Sequence, residues 1–252
     1  MRKKLAVVFS VAVIAAIAWA GGDPWKTKPY TQWDQKDVMA VLQTSPWAKV
    51  NLPISGAWHP SDTAASDTSN IGVSGSKTDS SKMAAGPGTV EPGAGTEKQL
   101  AAQAAAQSYN VFWWSARTIR EASARRAVLS GKVTEDQAAK MVATPVDSYE
   151  ILVNSPNMAI FQQRGEQAFM NTAFLQLHKS KQKLSPSKVE FQKDSAGKVV
   201  GAVFMFPKTT SNGETTISPD EKEVDFNVQI ADSWLRTYFS PKQMVDSQGV
   251  DL

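Results

Sequence analysis

The chain has 252 residues, no cysteine and two histidines, so thiol catalysis, disulfide stapling and Cys-ligated metal sites are excluded at the outset. Lys and Arg number 27 against 24 Asp and Glu, a formal charge of +3, and Arg2, Lys3 and Lys4 account for the whole excess. Residues 21–252 are thus formally neutral, which favours neither nucleic acid as a partner nor adhesion to an anionic membrane.

The first twenty residues read as a secretory leader. A short basic stretch precedes an apolar run from Leu5 to Ala20. That run is shorter than the ~20 residues that span a bilayer, so cleavage is expected rather than anchoring. Ala18-Trp19-Ala20 supplies the small-x-small site, with the cut after Ala20. No cysteine follows to carry a lipid. The expected location is the periplasm or the extracellular space, with no stable membrane anchor after cleavage.

Residues 21–54 form a small aromatic-rich segment. Thr31 and Asp34 have a capping-box-like spacing, with Asp in place of Glu, and Asp34 can itself be the N-cap. A helix is predicted from Gln35 to Gln43, with Val38, Val41 and Leu42 on one face, ended by Ser45-Pro46. Trp25, Tyr30, Trp33, Trp47 and Trp58 surround it. So many rings cannot bury themselves in a segment this short, so they dock on the main domain or on a partner. Residues 55–97 are rich in Ser, Thr, Gly, Ala, Asp and Pro. Such a composition cannot offset chain entropy, and a disordered linker spanning about 35–40 Å is predicted.

Residues 98–252 carry nearly all the regular pattern. A helix is predicted over Lys98–Gln107 by propensity, and a buried strand over Tyr109–Ser115. In that strand Trp113 and Trp114 must point to opposite faces, one to the core and the other exposed or covered. Helices are predicted over Arg117–Ser130, closed by Gly131, and over Glu135–Val142, capped by Thr134. A strand over Tyr149–Asn154 and a long helix over Ala159–Lys179 follow. The remaining pattern is four strands: Lys188–Gln192, Val199–Phe206, Glu223–Ile230 and Trp234–Phe239. They suggest an antiparallel meander with one wet face, its other face covered by the preceding helices. The predicted class is α+β: an antiparallel C-terminal sheet covered on one face by helices, preceded by the aromatic segment and the linker.

Lys28-Pro-Tyr-Thr-Gln-Trp33, Lys36-Asp37-Val38 and Ser45-Pro-Trp-Ala48 resemble the N-terminal segment of an uncharacterised family of exported bacterial proteins of acidobacterial type. Phe204-Met-Phe-Pro207, Asp220-Glu-Lys-Glu-Val-Asp-Phe226 and the stretch from Met244 to Leu252 are similar to the same family's tail. The resemblance implies export and a two-piece organisation. It carries no catalytic motif.

Few residues invite chemistry. His59 and His178 have no metal-ligand neighbours in sequence, so neither a metal nor another cofactor is expected. Gly72-Val-Ser-Gly75 lacks the nucleophile-elbow spacing, and phosphate loops are absent from the sequence. Glu223 and Asp225 share one strand face, about 6–7 Å apart by strand rise, a spacing compatible with paired-carboxylate hydrolysis of glycosides. Arg117 and Arg120 are neighbours on one helix, which also carries Arg125 and Arg126, and could take an anionic group. The reading favoured is a non-catalytic binding or assembly module of the cell envelope, with an envelope protein or polymer as partner. A carboxylate-dependent hydrolase and a purely structural envelope protein are the alternatives.

Overall fold

The computed structural model describes residues 22–55 and 94–252. The leader, most of the predicted linker, Trp58, His59 and the Gly72–Gly75 loop lie outside the described residues.

Pro24 opens a single helical turn, α1 (Pro24–Thr27), and a 3-10 turn over Tyr30–Gln32 leads to α2 (Gln35–Thr44). Asp34 caps α2. Its Oδ1 accepts from the Asp37 N–H at 2.8 Å, and Asp37 Oδ2 accepts from the Asp34 N–H at 3.2 Å, a reciprocal box with Asp in the usual Glu position. The chain then enters β1 (Ala48–Leu52). After α3 (Ala94–Ala105) come β2 (Tyr109–Trp113), α4 (Arg117–Leu129), α5 (Glu135–Ala143) and β3 (Ser148–Asn154). α5 starts where Thr134 predicts, because that cap is a local residue, whereas α3 starts four residues before the predicted Lys98. Gly131, at φ 70°, closes α4 in a Schellman turn: Lys132 N–H donates to Ala127 O and Gly131 N–H to Val128 O, both at 2.9 Å.

The long helix predicted over Ala159–Lys179 does not form. α6 (Ala159–Arg164) stops at Gly165, whose φ of 75° lies in the left-handed region. α7 (Glu166–Thr172) restarts beyond it, and β4 (Phe174–Leu177) follows. Leu175 and Leu177 alternate into the core, and Leu175 pairs with Phe226 of the neighbouring strand. That tertiary pairing outweighs the helical spacing read from the sequence.

The rest is strand: β5 (Lys183–Leu184), β6 (Lys188–Lys193), β7 (Val199–Pro207), β8 (Val224–Ile230), β9 (Ser233–Phe239), β10 (Val245–Asp246) and β11 (Gly249–Val250). The class is α+β. The C-terminal strands do not form one meander, however. They are two hairpins belonging to two different sheets. β6 and β7 complete a five-stranded sheet of order β1-β2-β3-β7-β6, and β8 and β9 complete a four-stranded sheet of order β5-β4-β8-β9. All strand pairings among the described residues are antiparallel.

The apolar faces of the two sheets meet. Phe204 and Phe206 of β7 pack edge-on against Phe226 of β8, with ring centroids 5.3 and 6.4 Å apart, and Trp113 of β2 packs against Phe239 of β9 at 5.2 Å. Phe161 of α6 and Phe169 of α7 stack at 4.3 Å and add Phe191 of β6 to the same core. The outer face of the five-stranded sheet is bordered by α2 and α4.

Candidate ligand-binding cleft

The aromatic segment lies inside this core. Trp33 and Trp47 are fully buried and Trp25 is 7% exposed, with Trp25 and Trp47 edge-to-face at 5.8 Å. Tyr30 is half-buried against Trp33. β1 extends the main sheet through Ala48–Phe112 and Lys49–Val111 pairing. Of the two fates open to these rings, docking within the chain is the one the structure displays. Trp33 and Trp47 have no surface left to offer a partner.

The arginines are likewise engaged. Arg117 forks onto Asp246, with Nε 3.0 Å from Oδ2. Arg120 donates to the carbonyls of Met141, Val142 and Thr144 and so closes the C-terminal end of α5. Arg125 donates to Trp33 O at 2.8 Å and pairs with Glu135. Arg117 and Arg120 therefore act as internal fasteners rather than as an anion cradle.

Glu223 immediately precedes β8 and Asp225 lies within it. Asp225 pairs across to Gln176 of β4 and Tyr238 of β9. Burial raises its carboxyl above the usual range, opposed by nearby His178 and reinforced by Glu223. His178 does not sit at a helix end: it follows β4, with Nδ1 3.9 Å from Glu223 Oε2. Asn227, two residues along β8 from Asp225 and on the same strand face, is buried. The large cleft described below includes neither Glu223 nor Asp225. Among the described residues no cluster of three or more His, Cys, Asp or Glu could hold a metal ion, and no helix is long and apolar enough to cross a membrane.

What the structure adds is a cleft of about 1040 Å³ over the outer face of the five-stranded sheet. Phe112, Trp114 and Leu152 form its apolar floor. Phe112 pairs directly with Leu152, and Trp114 follows two residues later on the same face. Trp113 is fully buried while Trp114 is half-buried, so the two tryptophans do face opposite ways. Leu42 and Met39 of α2 and Ala127 of α4 make the wall. At the edge between floor and β1, Asn110 ties three strands together: its Oδ1 accepts from the Asn51 N–H, and its Nδ2 donates to Asn154 Oδ1, each at 3.0 Å.

The rim is polar and carries one sign of charge. Gln43, Asn51 and Gln192 contribute carboxamides that make no side-chain hydrogen bond among the described residues, and Arg126 and Lys132 contribute cations that make no ion pair there. Among the described residues no carboxylate lines the cleft. The Schellman turn places Lys132 beside the last turn of α4, where Arg126 sits. The α4 carbonyls are already met by that turn's backbone, which leaves both cations facing solvent.

Sequence reading passed over this site because its parts are far apart in the chain and individually ordinary. Only the register of β2 on β3 brings Phe112 to Leu152 and Asn110 to Asn154. The one signal available was Trp114, an aromatic obliged to face away from the core. No protein-family model matches the chain, and no curated protein or solved structure is significantly similar to it.

Proposed function

We propose that the protein is an exported, non-catalytic binding module, and that the cleft over Phe112, Trp114 and Leu152 is its ligand site. The observation that carries this reading is the cleft's lining. An apolar floor is ringed by carboxamides and two cations that have no hydrogen-bond or ion-pair partner among the described residues, the kind of surface that holds and orients a ligand. The basic and apolar leader and the low-complexity stretch after β1 support export and a tethered role in the envelope.

The test is a set of amide NMR titrations of the full chain after the leader, with three soluble probe sets: neutral oligosaccharides, acidic oligosaccharides and short acidic peptides. At least one set shifts amides of β2, β3 and the last turn of α4, and Leu152→Trp, which fills the floor, removes the shifts. Absence of cleft shifts with all three sets overturns the reading. Export is checked separately by mass spectrometry of the accumulated protein, which begins at Gly21 if the leader is removed as expected.

A further inference from the structure

We infer that the ligand of this cleft is an acidic oligosaccharide: a short run of pyranose rings bearing carboxylates. The inference rests on the reading of the cleft as a ligand site and specifies its chemistry.

The floor excludes recognition through a ligand's backbone. β2 and β3 are interior strands, so their N–H and C=O groups are spent on their neighbours. β1 is an edge, but Asn51 stands at a φ of 58° and the β1–β2 register shifts between Lys49 and Leu52. The edge thus offers no regular ladder to an added strand. A ligand in the cleft meets side chains only.

Those side chains suit sugar rings. Phe112 and Trp114 are half-buried aromatic rings in the lining, the side-chain type against which the C–H face of a pyranose packs. The carboxamides of Gln43, Asn51 and Gln192, without side-chain partners among the described residues, each offer donors and an acceptor together, as vicinal hydroxyls do. Asn154 Nδ2 adds a further donor, since its Oδ1 is the atom occupied by Asn110. The volume of about 1040 Å³ lies at the upper end of the ~300–1,000 Å³ typical of small-molecule pockets, so it admits several rings rather than one. Charge decides between neutral and acidic sugars. Arg126 and Lys132 are the charged groups of the lining, both positive and both exposed, in a chain whose residues 21–252 are formally neutral. A carboxylate on the ligand supplies the counter-charge that no described residue of the lining does.

The test uses calorimetry on the full chain after the leader, at about 20 mM ionic strength, with three probes: tetragalacturonate, a neutral galactose tetrasaccharide and hexaglutamate. Tetragalacturonate binds more tightly than the neutral tetrasaccharide. The double variant Arg126→Gln/Lys132→Gln weakens it about tenfold, as two exposed charge contacts should, and leaves the neutral probe unchanged. At about 0.5 M salt, where screening is short-ranged, the variant and the parent agree within about twofold. Trp114→Ala weakens both saccharides, and thermal melts confirm that each variant is folded. Equal binding of the acidic and neutral saccharides, or an unchanged double variant, overturns the acidic assignment. Hexaglutamate binding as tightly as tetragalacturonate, with the same variant response, overturns the saccharide assignment but leaves the cleft as a ligand site. No binding of either saccharide overturns the inference, and the NMR titrations then decide whether the underlying reading also falls.

Discussion

The indole N–H of Trp47 donates to the main-chain carbonyl of Asp251 at 2.7 Å, across 204 residues of chain. The same aspartate caps α4 from outside. Its Oδ1 accepts from the Arg117 N–H at 2.8 Å and its Oδ2 from the Thr118 N–H at 2.9 Å. Ala116, at the N-cap position, has no side chain able to do this. One residue near the C-terminus therefore fastens the aromatic segment and the start of the central helix together.

Asp251→Ala leaves two N–H groups at the start of α4 without acceptors and removes a negative charge from the helix's positive end. A loss of about 1–2 kcal/mol in unfolding free energy is expected, read by urea denaturation followed through tryptophan fluorescence. A change under about 0.3 kcal/mol would show that the cap is not needed.

Trp33→Ala empties a fully buried site in the core. The expected cost is about 3–5 kcal/mol, enough to unfold many domains of marginal stability. Deleting residues 22–55 goes further, because it removes β1 from the sheet together with three buried indoles. The shortened chain is expected to lose its near-ultraviolet circular dichroism. A cooperative melt from residues 94–252 alone would refute the single shared core.

These outcomes follow from a feature of the fold that was only partly legible in the sequence. Asp34 and Thr134 mark the starts of α2 and α5, and Gly131 the end of α4, through chemistry local to a few residues. The alternation of Val224, Phe226, Val228 and Ile230 likewise revealed β8. Partition of strands between sheets is a matter of long-range pairing. Nothing near Phe204 or Phe226 says that they belong to opposing layers rather than to adjacent strands. The helix predicted through Gly165 failed for the same reason, since the partner that makes Phe174–Leu177 a strand lies about fifty residues downstream. The cleft was hidden more fully. Its floor residues read as buried strand, and Arg126 read as one of four arginines on a single helix.

Glu121 gives the stability a pH dependence. Burial raises its carboxyl from 4.5 to about 7; Arg117 and Arg120 pull it down, and Asp246 and Asp251 push it up. The folded chain keeps this proton where the unfolded chain has released it. The contribution is complete below about pH 4.5 and is lost as the pH rises towards 7. With allowance for partial exposure, the fall is on the order of 1 kcal/mol. Glu121→Gln should flatten stability measured between those limits, and an unchanged slope would assign it to another group.

Gly201 lies under the cleft floor. A Cβ there would come within 3.0 Å of Leu152 Cδ1 and 3.1 Å of Gln192 Oε1. Gly201→Ala is expected to cost about 1 kcal/mol and to displace both side chains. The checks are the Leu152 methyl resonances, which should shift, and the affinity of any cleft ligand, which should fall. Unmoved methyl resonances would contradict the close approach.

The fastening at Asp251 has a consequence for how the chain matures. Polypeptides leave a ribosome with their earliest residues first. Trp33, Trp47 and Trp113 are therefore delivered long before the group that draws the aromatic segment onto α4. Until Asp251 has been synthesised, the Trp47 indole N–H and the first N–H groups of α4 lack the acceptors they have in the folded chain.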